Sequence, residues 1–210
     1  ASALWPRDAG AVSAVGLMQA AGLEPDPIQR QVLTTTGNQL LLCHRQWGKS
    51  TTVGAIALEG ACSAPNSLVL LVSRSMRQSG ELFRKVRQFY NAARPFPLIQ
   101  DSALSLELSN HSRIVSLPGS EETIVGYSAV KRLILDEAAR IPDATLYAVR
   151  PMLAMSQGSI IALSTPFGKR GWFYEAWAQE RDAHALDVGT VEELLRDLHF
   201  PWMTGPYALE

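Results

Sequence analysis

Three short strings in this 210-residue chain carry residue types that work on phosphate esters. In His44-Arg45-Gln46-Trp47-Gly48-Lys49-Ser50, a Gly-Lys-Ser triplet follows the apolar run Gln39 to Cys43 and opens the Ala-rich stretch Ser50 to Cys62. A phosphate-binding loop requires this strand, loop, helix context, because the backbone N–H groups of the turn and of the helix N-terminus hold phosphate oxygens. Lys49 is expected to neutralise the outer phosphates, and the Ser50 hydroxyl to ligate Mg²⁺. The pattern G-x-x-x-x-G-K-[ST] is met only in part, since Cys43 stands where its first Gly belongs. The second string, Leu133-Ile134-Leu135-Asp136-Glu137, is an apolar run ending in adjacent carboxylates. Asp136 is expected in the Mg²⁺ shell, and Glu137 to orient and deprotonate an attacking water. Taken alone, the pair reads equally as the capped start of a helix. The third string, Leu163-Ser164-Thr165-Pro166, leads into Phe167-Gly168-Lys169-Arg170-Gly171. It supports two readings, a simple turn set by Pro166 or a pair of hydroxyls that sense the terminal phosphate and signal to the segment beyond.

These strings need strands to end them and helices to follow. A helix is predicted from about Asp8 to Ala21, then a turn at Gly22 to Pro27, and a short helix from Pro27 to Leu33 with Pro27 at its first position. Buried strands are predicted at Gln39 to Cys43, Ser67 to Val72, Leu133 to Leu135 and Ile160 to Leu163. Helices are predicted at Ser50 to Cys62, Met76 to Ala93 and Asp143 to Met155; in the second of these Leu82, Phe83, Val86 and Phe89 recur at helical spacing. Leu104 to Leu108 and Arg113 to Leu117 read as a β-hairpin added to the main sheet. The alternation of strand and helix predicts an α/β fold with a mostly parallel central sheet flanked by helices. In such sheets ligands sit at the carboxyl ends of the strands, where all three strings lie.

Composition narrows the field. Hydrophobic residues make up 47% of the chain and charged residues 19%, which describes a folding globular chain rather than a disordered one. A net charge of -1 supplies no global field toward nucleic acid or anionic lipid, so any DNA contact must be local. Arg74, Arg77, Arg84, Lys85 and Arg87 gather on one strand end and helix; Arg77, Arg84 and Lys85 are the candidate DNA contacts, and a solvated helix face balanced by Glu81 is the competing reading. Two cysteines, Cys43 and Cys62, are too few for a disulfide framework. His44, His111, His184 and His199 are scattered without ligand spacing, so no metal beyond Mg²⁺ is expected. The longest apolar stretch, Ala11 to Leu23, is too short to span a bilayer, and no membrane association is expected. Trp172, Phe173, Tyr174 and Trp177 are expected in the core or an interface.

Taken together, the strings resemble the ATPase domain of the large terminase subunit, the DNA-packaging motor of tailed bacteriophages and prophages. The resemblance runs from about Pro25 to Trp177, on Pro27-Ile28-Gln29, on the loop from Cys43 to Ser50, on Leu133 to Arg140 and on Leu163 to Gly171. It implies an additional-strand (ASCE, RecA-like) P-loop NTPase fold that uses ATP and Mg²⁺ to drive double-stranded DNA into a procapsid. It implies a monomer in isolation that forms a homo-oligomeric ring when assembled with the portal protein and the small terminase subunit, in the host bacterial cytoplasm. By motif position Gln29 resembles an adenine-reading glutamine, Ser164, Thr165 and Pro166 a coupling motif, and Arg45 a phosphate contact inside the loop. The nucleotide set is then Gln29, Arg45, Gln46, Trp47, Gly48, Lys49, Ser50 and Thr51, with Glu137, Lys49 and Arg45 catalytic and Ser50 and Asp136 on Mg²⁺.

Two departures from that family stand out. In Thr123-Ile124-Val125-Gly126-Tyr127, Val125 occupies the place of an arginine finger, so Arg45, Arg132 or Arg140 must substitute or hydrolysis is slow. The acidic residues after the coupling motif, Asp182, Asp187, Glu192, Glu193, Asp197 and Glu210, lack a strand framework, so no two-metal nuclease is expected in this chain. The resulting division is an N-terminal helical extension over 1–26, an ATPase core over 27–182 and a tail of unassigned role over 183–210. A helicase-like nucleic-acid-dependent ATPase and a nucleotide-binding prophage remnant with little turnover are the alternative functions.

Overall fold

The computed structural model describes residues 11–119, 124 and 126–181. Val125 and the tail from residue 182 therefore lie outside the described residues, as does the start of the first predicted helix.

The elements follow in the order α1 (Ala14–Ala20), α2 (Pro27–Thr34), β1 (Gln39–Leu42), α3 (Lys49–Cys62), β2 (Leu68–Ser73) and α4 (Met76–Ala93). Then come β3 (Leu98–Ser102), β4 (Ser105–Leu108), β5 (Arg113–Pro118), β6 (Val130–Asp136), a single 3-10 turn at Ala138–Arg140, α5 (Asp143–Ser156), β7 (Ser159–Ser164) and α6 (Gly171–Arg181). Helix α1 begins later than the Asp8 predicted from sequence. Ser13 is extended and its hydroxyl accepts the Gly16 N–H at 3.1 Å, so residues 11–13 are outside the helix. Helix α2 opens on a reciprocal cap, in which Asp26 accepts the Gln29 N–H at 2.8 Å and Gln29 Oε1 accepts the Asp26 N–H at 3.2 Å.

Seven strands form one sheet in the order β1-β7-β6-β2-β5-β4-β3. Four of its six neighbouring pairs are parallel and only β5/β4 and β4/β3 are antiparallel. The expected hairpin is β4 and β5, and its second strand is also the parallel neighbour of β2, which joins it directly to the sheet. Strand β3 was not legible in the sequence, since Leu98 to Ser102 is an edge strand exposed along most of its length and carries no apolar alternation.

Strand residues alternate between two cores. Leu41, Val69, Leu71, Ile134, Ile161 and Leu163 pack with α1 through α4, while Leu40, Leu70, Val72, Leu133, Leu135, Ile160 and Ala162 pack with α5 and α6. The central strands are therefore buried on both faces, which is why they read as unbroken apolar runs. Leu17 and Met18 of α1 lie in the same core as α3. Trp172 is buried, and its indole N–H donates to the Ile141 carbonyl at 3.2 Å while its ring meets Phe173 edge-on at 5.7 Å. Among the described residues no helix is long and apolar enough to cross a membrane.

Candidate active site

The parallel strands β1, β7, β6 and β2 share one direction, so their carboxyl ends line one edge of the sheet. The chain leaves β1 through Cys43, whose N–H still bonds the Ser164 carbonyl at 2.9 Å. Cys43 has no left-handed backbone and its thiol is buried in the core, so this position needs no glycine. Burial pushes that thiol up to about 12, with the nearby Lys49 ammonium opposing. Tight turning falls later, on Gln46 (φ 67°) and Gly48 (φ 89°). A methyl group on Gly48 would lie 2.9 Å from Gln29 Nε2 and displace that amide, and the left-handed torsion itself favours glycine there.

Gly48 caps α3 without a side chain, which leaves the N–H groups of Lys49, Ser50 and Thr51 open to an anion. Trp47 turns inward instead, its indole N–H buried without an acceptor. Gln29 reaches this loop from α2, donating from Nε2 to the Trp47 carbonyl at 2.8 Å. Each end of its amide thus holds one partner within the protein, which leaves a second N–H and a second lone pair for a further one.

Asp136 ends β6 and is buried; its carboxyl is pushed up to about 6, chiefly by desolvation and then by the Glu137 charge, with Lys49 opposing. Glu137 leaves the strand in left-handed backbone (φ 52°, ψ 46°), a conformation that costs a non-glycine residue roughly 1 kcal/mol or more. That turn sets its carboxylate among three side chains. Lys49 Nζ lies 3.6 Å from Oε1, while Oε2 accepts from Thr165 Oγ1 at 2.9 Å and faces Arg140 Nε at 3.7 Å. Ser164, fully buried, accepts the Ala139 N–H at 3.3 Å and so ties the end of β7 to the 3-10 turn. Pro166 follows, exposed.

Arg45, Gln46, Lys49, Arg74, Gln78, Glu137, Arg140 and Thr165 line an open cavity of about 330 Å³. Four cations against one carboxylate make it a site for a polyanion. Lys49 and Arg140 are paired with Glu137, while Arg45 and Arg74 form no ion pair among the described residues. Gln78 was missed from sequence, and Arg74 was read only as a member of the basic cluster that continues along α4. Both sit just past the carboxyl end of β2, beside β6, which is the position from which they could have been found.

Arg132, one of the three arginines that could stand in for a finger, has its guanidinium bonded to Glu59 Oε2 at 2.6 Å and the Ile56 carbonyl at 3.1 Å, bracing β6 on α3. The basic cluster on α4 also divides. Arg77 is exposed, Arg84 pairs with Glu81 at 2.6 Å, Lys85 lies along α3 at Gly54, and Arg87 is tied to Asp101 and the Ser102 carbonyl.

Superposition on solved structures finds this arrangement of elements again. The Thermus phage P74-26 large terminase ATPase domain matches with a TM-score of 0.66 at 23% identity, over 83% of this chain and 74% of that one. This chain has the fold of a large-terminase ATPase domain. The large terminase of bacteriophage HK97 matches with a TM-score of 0.60 at 16% identity, over 76% of this chain but 37% of that one. S. cerevisiae dbp5, in a complex that includes ADP, matches with a TM-score of 0.56 at 14% identity, over 85% of this chain and 50% of that one. No protein-family model matches the sequence, and no curated protein does.

Proposed function

We propose that this chain hydrolyses ATP with Mg²⁺ and that, in an assembled ring, the reaction drives double-stranded DNA into a procapsid. The observation that carries the reading is Glu137 held 3.6 Å from Lys49 at the carboxyl edge of the sheet, beside an uncapped helix N-terminus. Lys49 and the first N–H groups of α3 bind the outer phosphates, with Arg45 and Arg74 adding charge from the rim. Glu137 takes the proton of a water attacking the terminal phosphate. Thr165 holds the carboxylate through its hydroxyl and links the site to the segment after β7.

Mg²⁺ suits the donors present, the Asp136 carboxylate and the Ser50 hydroxyl, because both are hard oxygen ligands. Among the described residues no group of three or more His, Cys, Asp or Glu gathers, which is compatible with an ion held by one carboxylate and the substrate's own phosphates. When bound, it would neutralise charge developing on the phosphates. Gln29 is proposed to read adenine, Ser164, Thr165 and Pro166 to couple hydrolysis to movement, and Arg77, Arg84 and Lys85 to touch DNA phosphates. The portal protein and the small terminase subunit are the proposed partners. The likeness to dbp5 favours one second reading, a helicase-like ATPase acting on nucleic acid outside packaging.

The test is ATP hydrolysis across protein concentration, with and without duplex DNA, beside Lys49→Ala and Glu137→Ala. Turnover that rises with concentration and vanishes in both variants supports a motor domain completed by a neighbour. Strand separation of a duplex supports the helicase-like reading instead, and tight nucleotide binding without turnover rejects both.

A further inference from the structure

We propose that Arg140 is a positioning residue for Glu137, held in place by stacking on Phe167; this rests on the reading of Glu137 as the general base. Arg140 follows Glu137 by one 3-10 turn, and its Nε faces Glu137 Oε2 at 3.7 Å. Its guanidinium carbon lies 4.0 Å from the centroid of the Phe167 ring, over which Arg170 also lies, at 4.6 Å. A planar cation seated on an aromatic face is restrained in position and tilt, which narrows the directions in which Nε can point. Phe167, just past the carboxyl end of β7, thus acts as a template for the arginine that faces the carboxylate.

The need for such a group comes from what Lys49 must do. Here Lys49 is one of three side chains orienting Glu137. Lys49 is also the cation at the helix N-terminus that receives phosphates, and a polyphosphate competes for its ammonium. Once that happens, Thr165 and Arg140 alone hold the carboxylate. Arg140 lines this cavity as well but turns its Nε to Glu137, whereas Arg45 and Arg74 line it without ion pairs among the described residues and are the cations available to phosphate.

The experiment uses the full 210-residue chain and reads kcat and KM for ATP, the Kd of ATP-gamma-S by calorimetry, and thermal stability. Arg140→Ala is expected to lower kcat about ten- to a hundredfold, less than the roughly 10² to 10⁴ that losing the general base itself would cost, with KM and Kd changed less than about twofold. Phe167→Leu lowers kcat in the same way, Phe167→Tyr, which keeps the ring, loses less, and Arg140→Lys recovers little because an ammonium has no plane to stack. The double variant Arg140→Ala with Phe167→Leu falls no further than Arg140→Ala alone. Should Arg140→Ala not fold, the comparison of Phe167→Leu with Phe167→Tyr decides the question. An unchanged kcat, a Kd weakened tenfold with kcat intact, a loss confined to thermal stability, or losses that multiply in the double variant each overturn the proposal. A wild-type chain with no turnover removes the underlying reading of Glu137 as well. Wild-type turnover that Glu137→Gln abolishes and Arg140→Ala leaves intact removes this proposal alone.

Discussion

Two adjacent carboxylates divide the work of this site by environment. Glu137 sits among Lys49, Arg140 and Thr165, and its replacement by Gln keeps size and polarity while removing the proton acceptor. Glu137→Gln is expected to lower turnover about 10² to 10⁴-fold with nucleotide affinity within a few-fold, measured by steady-state kinetics and calorimetry. Asp136 is held in the protein with its carboxyl raised from 3.8 to about 6, so its ionised form opposes folding at neutral pH. Because the folded value lies above the unfolded one, protonation of this group favours the folded state. Its contribution is full below about pH 4 and lost as pH rises through about 6. Without nucleotide and in EDTA, Asp136→Asn is therefore expected to stabilise the protein at pH 7.5 by about 3 kcal/mol, with the gain shrinking toward pH 4 in thermal melts. A variant no more stable than wild type at pH 7.5 would contradict the cost assigned to that charge.

At the scale of elements, the loop from Cys43 to Gly48 is gripped from α2 and strand β6 from α3. Gly48→Ala places a methyl 2.9 Å from Gln29 Nε2 on a left-handed residue, so Gln29 must release the Trp47 carbonyl or the loop must shift. The expected outcome is a loss of about 1–2 kcal/mol of stability together with weaker nucleotide binding, read by denaturant titration and calorimetry. Arg132 and Glu59 join β6 to α3 away from the cavity lining, and both side chains are mostly buried. Breaking that pair with Arg132→Met is expected to cost stability of about 1–3 kcal/mol by leaving Glu59 unpaired, while kcat stays within about twofold of wild type. A large fall in kcat at unchanged stability would return Arg132 to the list of catalytic arginines.

For the molecule as a whole, one sheet separates two cores, and each central strand contributes to both. Trp47 belongs to the core with α1 through α4, and Trp172 to the core with α5 and α6. Since neither core closes without β2, β6 and β7, the two are expected to unfold together. Variants retaining only Trp47 or only Trp172 should give coincident denaturant midpoints by fluorescence, and separated midpoints would show that the two layers are independent units.

The seven-stranded order could not be read from the chain, but most of its strands could. Double-sided burial makes Leu68 to Ser73, Leu133 to Asp136 and Ile160 to Ser164 continuous apolar runs, and such runs are visible without knowing their neighbours. Asp136, Glu137 and Thr165 were legible because each ends or directly follows such a run, and Lys49 because it stands in a Gly-Lys-Ser triplet between an apolar run and a helix. Strand β3 was not, because its side chains are mostly solvated and nothing in their types records a hydrogen-bonded edge. Neither was the role of Arg132, whose partners Ile56 and Glu59 are 76 and 73 residues away, nor the entry of Gln78 into the cavity. Local spacing reports which residues stand at a strand end. Which strand ends meet, and which cation lies beside which carboxylate, is set by long-range packing that no window of sequence contains.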